Sequence, residues 1–295
     1  MFLINYKLYC TVISYDEKII YSFKKGEEEL LNVIKYYEHH DEDNRITSTN
    51  ARKIEFIITT STLDKYIRKE HKILEVGAGT GVYSFYYADK GNEVVATDLT
   101  PNHVEIIKEK LSMRDKKVNL YAEVVDATDL SRYESESFDV VTCMGPMYHL
   151  TEVSLRNKCI EECLRVLKKD GILAISYINK HYILNSVMLR DSKYLNKGFI
   201  DKILNTGVIS EGENECFWTD AFFTTPSEME SFISNYNIQI VDHVATDGIT
   251  PLVRNYVDKM NDTEHSQWLY YLLTSCRDKD ILGISNHCLL LVKKV

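Results

Sequence analysis

KILEVGAGTGVYS, residues 72–84, decides how this chain is read. Ile73, Leu74 and Val76 make a short apolar strand that runs straight into Gly77, Gly79 and Gly81, and a helix follows to Lys90. Glycines stand where a backbone turns tightly and where a ligand must approach with no Cβ in the way. The turn lies at the carboxyl edge of a first strand, the edge at which open α/β sheets bind ligands. The spacing is G-x-G-x-G; the dinucleotide fingerprint G-x-G-x-x-G would need a glycine where Val82 stands. Glu75, two residues before the first glycine, would repel a pyrophosphate but suits an α-amino group.

Outward from this loop, strands and helices alternate. The pattern predicts strands at 72–76, 93–98, 118–125, 138–144 and 172–178, and helices at 81–90, from Thr100–Pro101, and at 153–169. Thr100 reads as the cap of its helix, and Asp170-Gly171 as the end of the last one. Such alternation means parallel pairing through right-handed crossovers, a doubly wound sheet. After Ile178 the rhythm breaks: a helix at 226–236, a strand at 238–245, helical segments within 251–278 and a final strand at 288–295 close the chain. Upstream, 8–23 alternates like a hairpin, and 27–38 and 50–68 read as helices. The expected organisation is an N-terminal hairpin and helical cap over 1–68, then one domain over 69–295 with lid insertions at about 180–225 and 249–284.

The 295 residues are 44% hydrophobic, enough for a well-buried core, and the formal net charge is -9. An acidic chain with no Lys/Arg run longer than two is a poor match for a phosphate backbone, so nucleic acid is not expected as a partner. No stretch approaches a membrane span and the N-terminus lacks a signal-peptide pattern, so the expectation is a cytoplasmic protein with no membrane partner, monomeric or homodimeric. Seven cysteines without C-x-x-C spacing argue for a reducing compartment. Cys159 and Cys163, four apart on a helix, and Cys143 read as buried core residues, and the scattered thiols give no sign of converging on one site. HHDED, 39–43, ends a helix in a polar turn; no metal site is expected.

Two more acids follow Glu75. Asp98 ends the second strand about twenty residues after the glycines, where a carboxylate accepts ribose hydroxyls. Asp126 follows the third strand, placed to accept from an exocyclic adenine amine, with Ala127 offering a backbone N–H. Together these ask for an adenosine that carries an amino acid. On Glu75, Gly77, Gly79, Gly81, Asp98 and Asp126 the chain resembles the class I S-adenosylmethionine-dependent methyltransferases of small-molecule type, over about residues 50–180 and more loosely to the end.

The resemblance implies a Rossmann-like α/β sheet of seven strands, the last antiparallel, with a helical N-terminal cap and lid insertions. It implies S-adenosylmethionine as cofactor, S-adenosylhomocysteine as its product, and a site that also includes Ala78, Leu99 and Met144. From the cap, Tyr37 and Arg52 are candidates to close over the methionine end, as are Tyr36 and Arg45, since an arginine pairs well with a carboxylate.

In this family the fourth strand ends beside the transferable methyl, which puts VTCMGPMYHL, 141–150, at the reaction centre. Members that methylate planar amines carry Asn/Asp-Pro-Pro-Tyr/Phe there; here Gly145-Pro146-Met147-Tyr148 lacks the acceptor side chain. The implied substrate is therefore a small molecule methylated on N, O or S. Tyr148 is expected as a wall of the pocket, and His149 either as a general base or as a packed side chain. Tyr177, His181, Tyr182, Trp218, Asp220, Asp247, Asn286 and His287 are further polar candidates near strand ends or in insertions. The rival readings are a nucleic-acid or protein methyltransferase on the same fold, a protein that binds the cofactor without catalysis, and a nicotinamide oxidoreductase.

Overall fold

The computed structural model describes residues 17–38 and 48–295, residues 17–27 as backbone only. The helices α1 (Glu17–Glu38) and α2 (Asn50–Leu63) precede the sheet. Then β1 (Lys72–Val76), α3 (Val82–Lys90), β2 (Glu93–Asp98), α4 (Pro101–Ser112), β3 (Leu120–Val124), β4 (Phe138–Cys143), α5 (Val153–Val166) and β5 (Leu167–Ile178) follow in strict alternation, apart from the direct passage from β3 to β4. An insertion carries α6 (Lys180–Arg190), α7 (Lys197–Thr206) and the short pair β6 (Val208–Ile209) and β7 (Ala221–Phe222). The chain returns through α8 (Pro226–Ile233) to β8 (Ile238–Ala245), then through α9 (Arg254–Val257), α10 (Asp262–Ser275) and α11 (Lys279–Leu282) to β9 (His287–Lys294).

Seven strands form one sheet in the order β3-β2-β1-β4-β5-β9-β8. The strands β1 to β5 pair in parallel, and β9 runs antiparallel to both its neighbours. The doubly wound sheet with an antiparallel last strand is therefore as expected. Alternate residues serve opposite faces, as a pleated strand requires. Leu74, Val141 and Leu173 pack with α5 and α8, whereas Ile73, Val140 and Ala174 pack toward α2, α3 and α10. Because the chain crosses over between parallel strands, the carboxyl ends of β1 to β5 share one edge, and that edge carries the candidate site.

Several local expectations shift. Of the expected hairpin, residues 8–16 lie outside the described residues and 17–23 form the first turns of α1, where Ile19, Ile20 and Phe23 also fit a helical period. HHDED and Arg45 likewise lie outside the described residues. Thr100 stands at the cap position of α4, yet its side chain makes no cap bond; its backbone N–H donates instead to Asp98 Oδ1 at 2.8 Å. The helix expected to reach residue 169 stops at Val166, and β5 begins at once, with Asp170 turned into a left-handed conformation at φ 62.

The cysteines correct a stronger expectation. Cys143 at the end of β4 meets Cys159 and Cys163 on α5: the three sulfurs lie within 4.8 Å of one another, and Cys143 and Cys159 are 3.7 Å apart. Separation along the chain hid this, since β4 and α5 pack only in three dimensions. All three are wholly buried; their hydrogen bonds to one another, together with burial, hold the thiols well above the ordinary value, and none lines the cavity described below.

The insertion after β5 has its own apolar centre, with Tyr182, Val187, Phe199, Ile203 and Phe223 buried together against Tyr148. The insertion after β8 packs on α2, and Asp258 accepts from the backbone N–H of Ala51 at 2.8 Å. Helix α10 is held at its start by a capping box between Asn261 and Glu264, and α8 by one between Thr225 and Glu228. No helix among the described residues is long and apolar enough to cross a membrane.

Candidate active site

The glycine loop is built as its composition requires. Gly77, Gly79 and Gly81 have φ of 74°, 55° and 85°, a region that L side chains rarely enter. The N–H groups of Gly77 and Ala78 both donate to the Thr97 carbonyl at 2.8 Å, which ties the loop to the end of β2. A Cβ on Gly77 would stand 2.6 Å from Pro146 Cδ. The Gly-Pro pair at the exit of β4 is thus packed directly on the glycine loop of β1. Gly81 serves differently: a Cβ there would meet Ile107 at 2.9 Å, so it lets α4 close on α3 and does not itself line the cavity.

A cavity of about 1140 Å³, its mouth included, runs along this edge. Its wall passes from Val125, Asp126 and Ala127 after β3, past Asp98 and Leu99, by Glu75 and the loop Gly77–Thr80, past Met144, Gly145, Pro146, Tyr148, His149 and Leu150, and on to Ser176 of β5 and Leu289 of β9. Leu30, Val33 and Tyr37 of α1 and Glu55 and Thr59 of α2 complete it. Four carboxylates line it, those of Glu55, Glu75, Asp98 and Asp126, and among the described lining residues there is no Lys or Arg.

Glu75 is buried and accepts a hydrogen bond from the Ser84 hydroxyl. Burial raises its carboxyl to about 7; the Ser84 bond opposes the rise and the nearby Asp98 charge adds to it. Asp98 is heavily used by the protein: Oδ2 accepts from Gly79 N at 2.7 Å, and Oδ1 from Thr100 N at 2.8 Å and from His103 Nδ1 at 3.2 Å. Asp126 Oδ1 accepts from Thr128 N at 2.7 Å, a short turn that fixes the carboxylate after β3.

His149 does not stand as a free base. Its Nδ1 lies 3.1 Å from the Asp220 carbonyl, which can only accept, so Nδ1 carries the proton. Its Nε2 is then an acceptor and takes the Tyr37 hydroxyl at 2.9 Å. Burial drives the imidazole down to about 4, against the pull of the Asp220 bond and the Asp98 charge. Tyr148, also buried, stacks on Trp218 with ring centres 5.9 Å apart and planes at 30°. Trp218 and Asp220 arrive from the insertion after β5, and Asn32 of α1 donates to Asp220 Oδ2 at 2.8 Å. The cap helix and the insertion therefore meet over the exit of β4.

At the far end, Glu55 faces the cavity with a second cluster behind it. His287 Nδ1 lies 2.7 Å from Asp247 Oδ2 and 3.6 Å from Glu55 Oε2, and Asn286 Nδ2 donates to Asp247 at 3.2 Å. These strand-end residues are brought together as a group, although only Glu55 reaches the cavity wall. Other expected residues lie apart from it. Arg52 is exposed on α2, near Ser48, because α2 turns Ile54 and Ile58 into the core and Glu55 and Thr59 to the cavity. Tyr177 is bonded to His243, Tyr182 is in the core of the insertion, and His181 is exposed.

Sequence reading missed Glu55, Thr59, Thr80, His103 and Ser176 in the wall. His103 had a signal: it sits in the first turn after Asp98, the turn that a parallel sheet aims at its own carboxyl edge. Thr80 Oγ1 and His103 Nε2 are buried without a hydrogen-bond partner. Buried polar atoms are rarely left so, and two in one cavity wall suit a wall shaped for a polar guest.

Comparison with known proteins agrees with this geometry. Residues 74–175 match the family model described as a methyltransferase domain. A ubiquinone biosynthesis O-methyltransferase of Xanthomonas oryzae pv. oryzae is 27% identical over 171 residues, 58% of this chain and 64% of that protein. The chain thus matches less than two thirds of the length of that curated relative. Among solved structures, a methyltransferase from Methanosarcina mazei aligns with a TM-score of 0.55 at 16% identity, over 79% of this chain and 97% of that one. The 4+2 cyclase SpnF aligns with a TM-score of 0.52 at 15% identity, over 93% and 94%. These structural likenesses establish the fold.

Proposed function

We propose, on the premise that this chain belongs to the class I S-adenosylmethionine-dependent methyltransferase family, that it transfers a methyl group to nitrogen, oxygen or sulfur of a small neutral or cationic molecule. The observation that carries this reading is the lining of the cavity: four carboxylates with no Lys or Arg among the described residues. A sulfonium that bears an α-ammonium fits that set of carboxylate acceptors. Glu75 takes the ammonium, Asp98 the ribose and Asp126 with the Ala127 N–H the adenine, along a path that also meets Gly77, Ala78, Gly79, Leu99 and Met144. Gly81 supports the loop from behind. Arg52 drops out of the set because it is exposed.

When bound, the cofactor supplies a methyl on a positively charged sulfur with a good leaving group. The chain's own task is then to align the acceptor and exclude water. Ser176, Leu289, Glu55 and Thr59 line the end of the cavity beyond the exit of β4, under α1 and α2, where the acceptor would lie. The Tyr37 hydroxyl donates to His149 and stands on the cavity wall, so the pair fixes the ring beside the exit of β4. His149 acts as a positioning residue for Tyr37, and Tyr148 as the aromatic wall.

Calorimetry with S-adenosylhomocysteine tests the first half. Micromolar binding that Asp98→Ala weakens at least about tenfold is expected; no binding, or binding indifferent to that change, rejects the cofactor. Labelled-methyl transfer to a panel of phenols, amines, thiols and carboxylic acids tests the second. The O-methyltransferase relatives make phenols the first arm. Because SpnF is described as a cyclase on this fold, tight binding with no transfer to any arm would favour a different use of the bound cofactor.

A further inference from the structure

His103 is the least explained group in the cavity wall. It is 3% exposed, on the first turn of α4, and its Nδ1 is turned to Asp98 Oδ1 at 3.2 Å. The Asp98 carboxylate can only accept, so His103 Nδ1 is the donor in that contact, and in the tautomer with the proton on Nδ1 the Nε2 on the other side of the ring bears a lone pair. That Nε2 is out of reach of water and has no partner. The Tyr37 ring stands edge-on to the imidazole at 5.4 Å and covers it from the cap helix.

The same contacts limit what Asp98 can do. A carboxylate offers about four lone-pair directions, and three are spent on Gly79, Thr100 and His103. One remains, on Oδ2. A ribose presents two neighbouring hydroxyls, so the carboxylate that was expected to accept both has room for one. The unpaired acceptor next to it is His103 Nε2.

We propose that Asp98 and His103 read the ribose diol as a pair, one hydroxyl donating to Asp98 Oδ2 and the other to His103 Nε2. This rests on the assignment of the cofactor above and adds to it a residue that selects ribose over deoxyribose. Asp98 has a double part, since it also fixes the tautomer that gives His103 its lone pair.

The test is calorimetry of S-adenosylhomocysteine and its 2′-deoxy and 3′-deoxy forms with the full chain and with His103→Phe, which keeps an aromatic ring and removes the acceptor. With the unaltered chain each deoxy form should bind about tenfold more weakly than the parent, the loss of one hydrogen bond. In His103→Phe one of the two penalties should vanish while the other stays. If both penalties persist in that variant, or if the unaltered chain ignores both hydroxyls, the inference is overturned while the cofactor stands. If the unaltered chain does not bind the parent compound, the cofactor assignment falls and the inference with it. A second readout needs no variant: the ¹⁵N resonance of His103 Nε2 should move when the parent binds and stay in place with one deoxy form. A resonance that the parent leaves unmoved also overturns the proposal.

Discussion

The hydroxyl of Tyr37, on the cap helix, donates to Nε2 of His149, at the exit of β4, across 2.9 Å. The partner of the other ring nitrogen, the Asp220 carbonyl, comes from the insertion after β5. One imidazole thus joins the three parts that meet at this side of the cavity, and its tautomer follows from a carbonyl that can only accept.

A neutral His149 makes a clear prediction for pH. Its folded pKa of about 4 lies below the ordinary 6.5, so the unfolded chain binds the extra proton more readily. The stability contribution is complete above about pH 6.5 and is lost as pH falls toward about 4, in total about 3 kcal/mol. Thermal unfolding followed from about pH 7 to 4.5 should show that slope, and His149→Gln should flatten it. The kcat/KM profile should have no break near 6.5 from this residue; a break there that His149→Gln removes would restore it as a base.

Tyr37→Phe deletes the donor and leaves His149 Nε2 buried without a partner. A loss of about 1–3 kcal/mol in stability is expected, the cost of one orphaned polar atom. If Tyr37 also receives a proton-bearing group of the substrate, kcat/KM should fall by a further factor of about ten. Chemical denaturation and steady-state kinetics on the same variant separate the two effects.

Glu75 should couple cofactor binding to pH in the opposite sense. Its folded pKa of about 7 is above the ordinary carboxyl value of 4.5, so the ligand-free fold holds that proton more tightly than the unfolded chain, and stability falls as pH rises between those values. An ammonium needs the ionised form, so affinity for S-adenosylhomocysteine should rise as pH climbs through about 7, with proton release below it. Calorimetry in two buffers of unequal ionisation enthalpy measures the proton. Glu75→Gln should stabilise the ligand-free protein at about pH 8, weaken binding about tenfold or more and abolish the proton release.

The contact between the two loops can be weighed against a control. Gly77 and Gly212 both have positive φ, 74° and 83°, but a Cβ on Gly77 strikes Pro146 whereas one on Gly212 meets nothing within 4 Å. Gly212→Ala should cost about 1 kcal/mol, the backbone share alone. Gly77→Ala should cost about 2 kcal/mol more and lose cofactor binding, since the loop or the β4 exit must shift. Urea titration of both variants decides it; equal losses would mean that the Pro146 contact is slack.

Acceptor charge gives a further test of the lining. On the proposal that the acceptor lies toward Glu55, cationic or neutral acceptors should be turned over and carboxylate-bearing analogues refused. Glu55→Gln should raise KM for a cationic acceptor about tenfold and narrow the gap to anionic ones.

Much of this was legible along the chain because parallel β-strands joined by helices leave their carboxyl ends on one edge. Glu75 lies near the end of β1, Asp98 ends β2 and Asp126 follows β3, and glycines at 77 and 79 announce a backbone that must take positive φ. Short-range chemistry of this kind needs only neighbours in sequence. The role of His149 did not, since the atom that fixes its proton is 71 residues away. Nor was the convergence of Cys143 with Cys159 and Cys163 legible there, or the exposure of Arg52, which follows from α2 turning Ile54 and Ile58 into the core.

The sequence by itself determined the order of the strands' chemistry: a glycine turn, three acids and a Gly-Pro exit, each dictated by what a single residue's backbone or charge allows. Only the tertiary structure decided which of those groups are still available to a ligand. Availability depends on what else has donated to them, so Asp98 enters the site with three partners and His149 with two, while Nε2 of His103 is buried with no hydrogen-bond partner. Hydrogen-bonding capacity is finite and is spent between elements far apart in the chain, which is why it is read from packing and not from spacing.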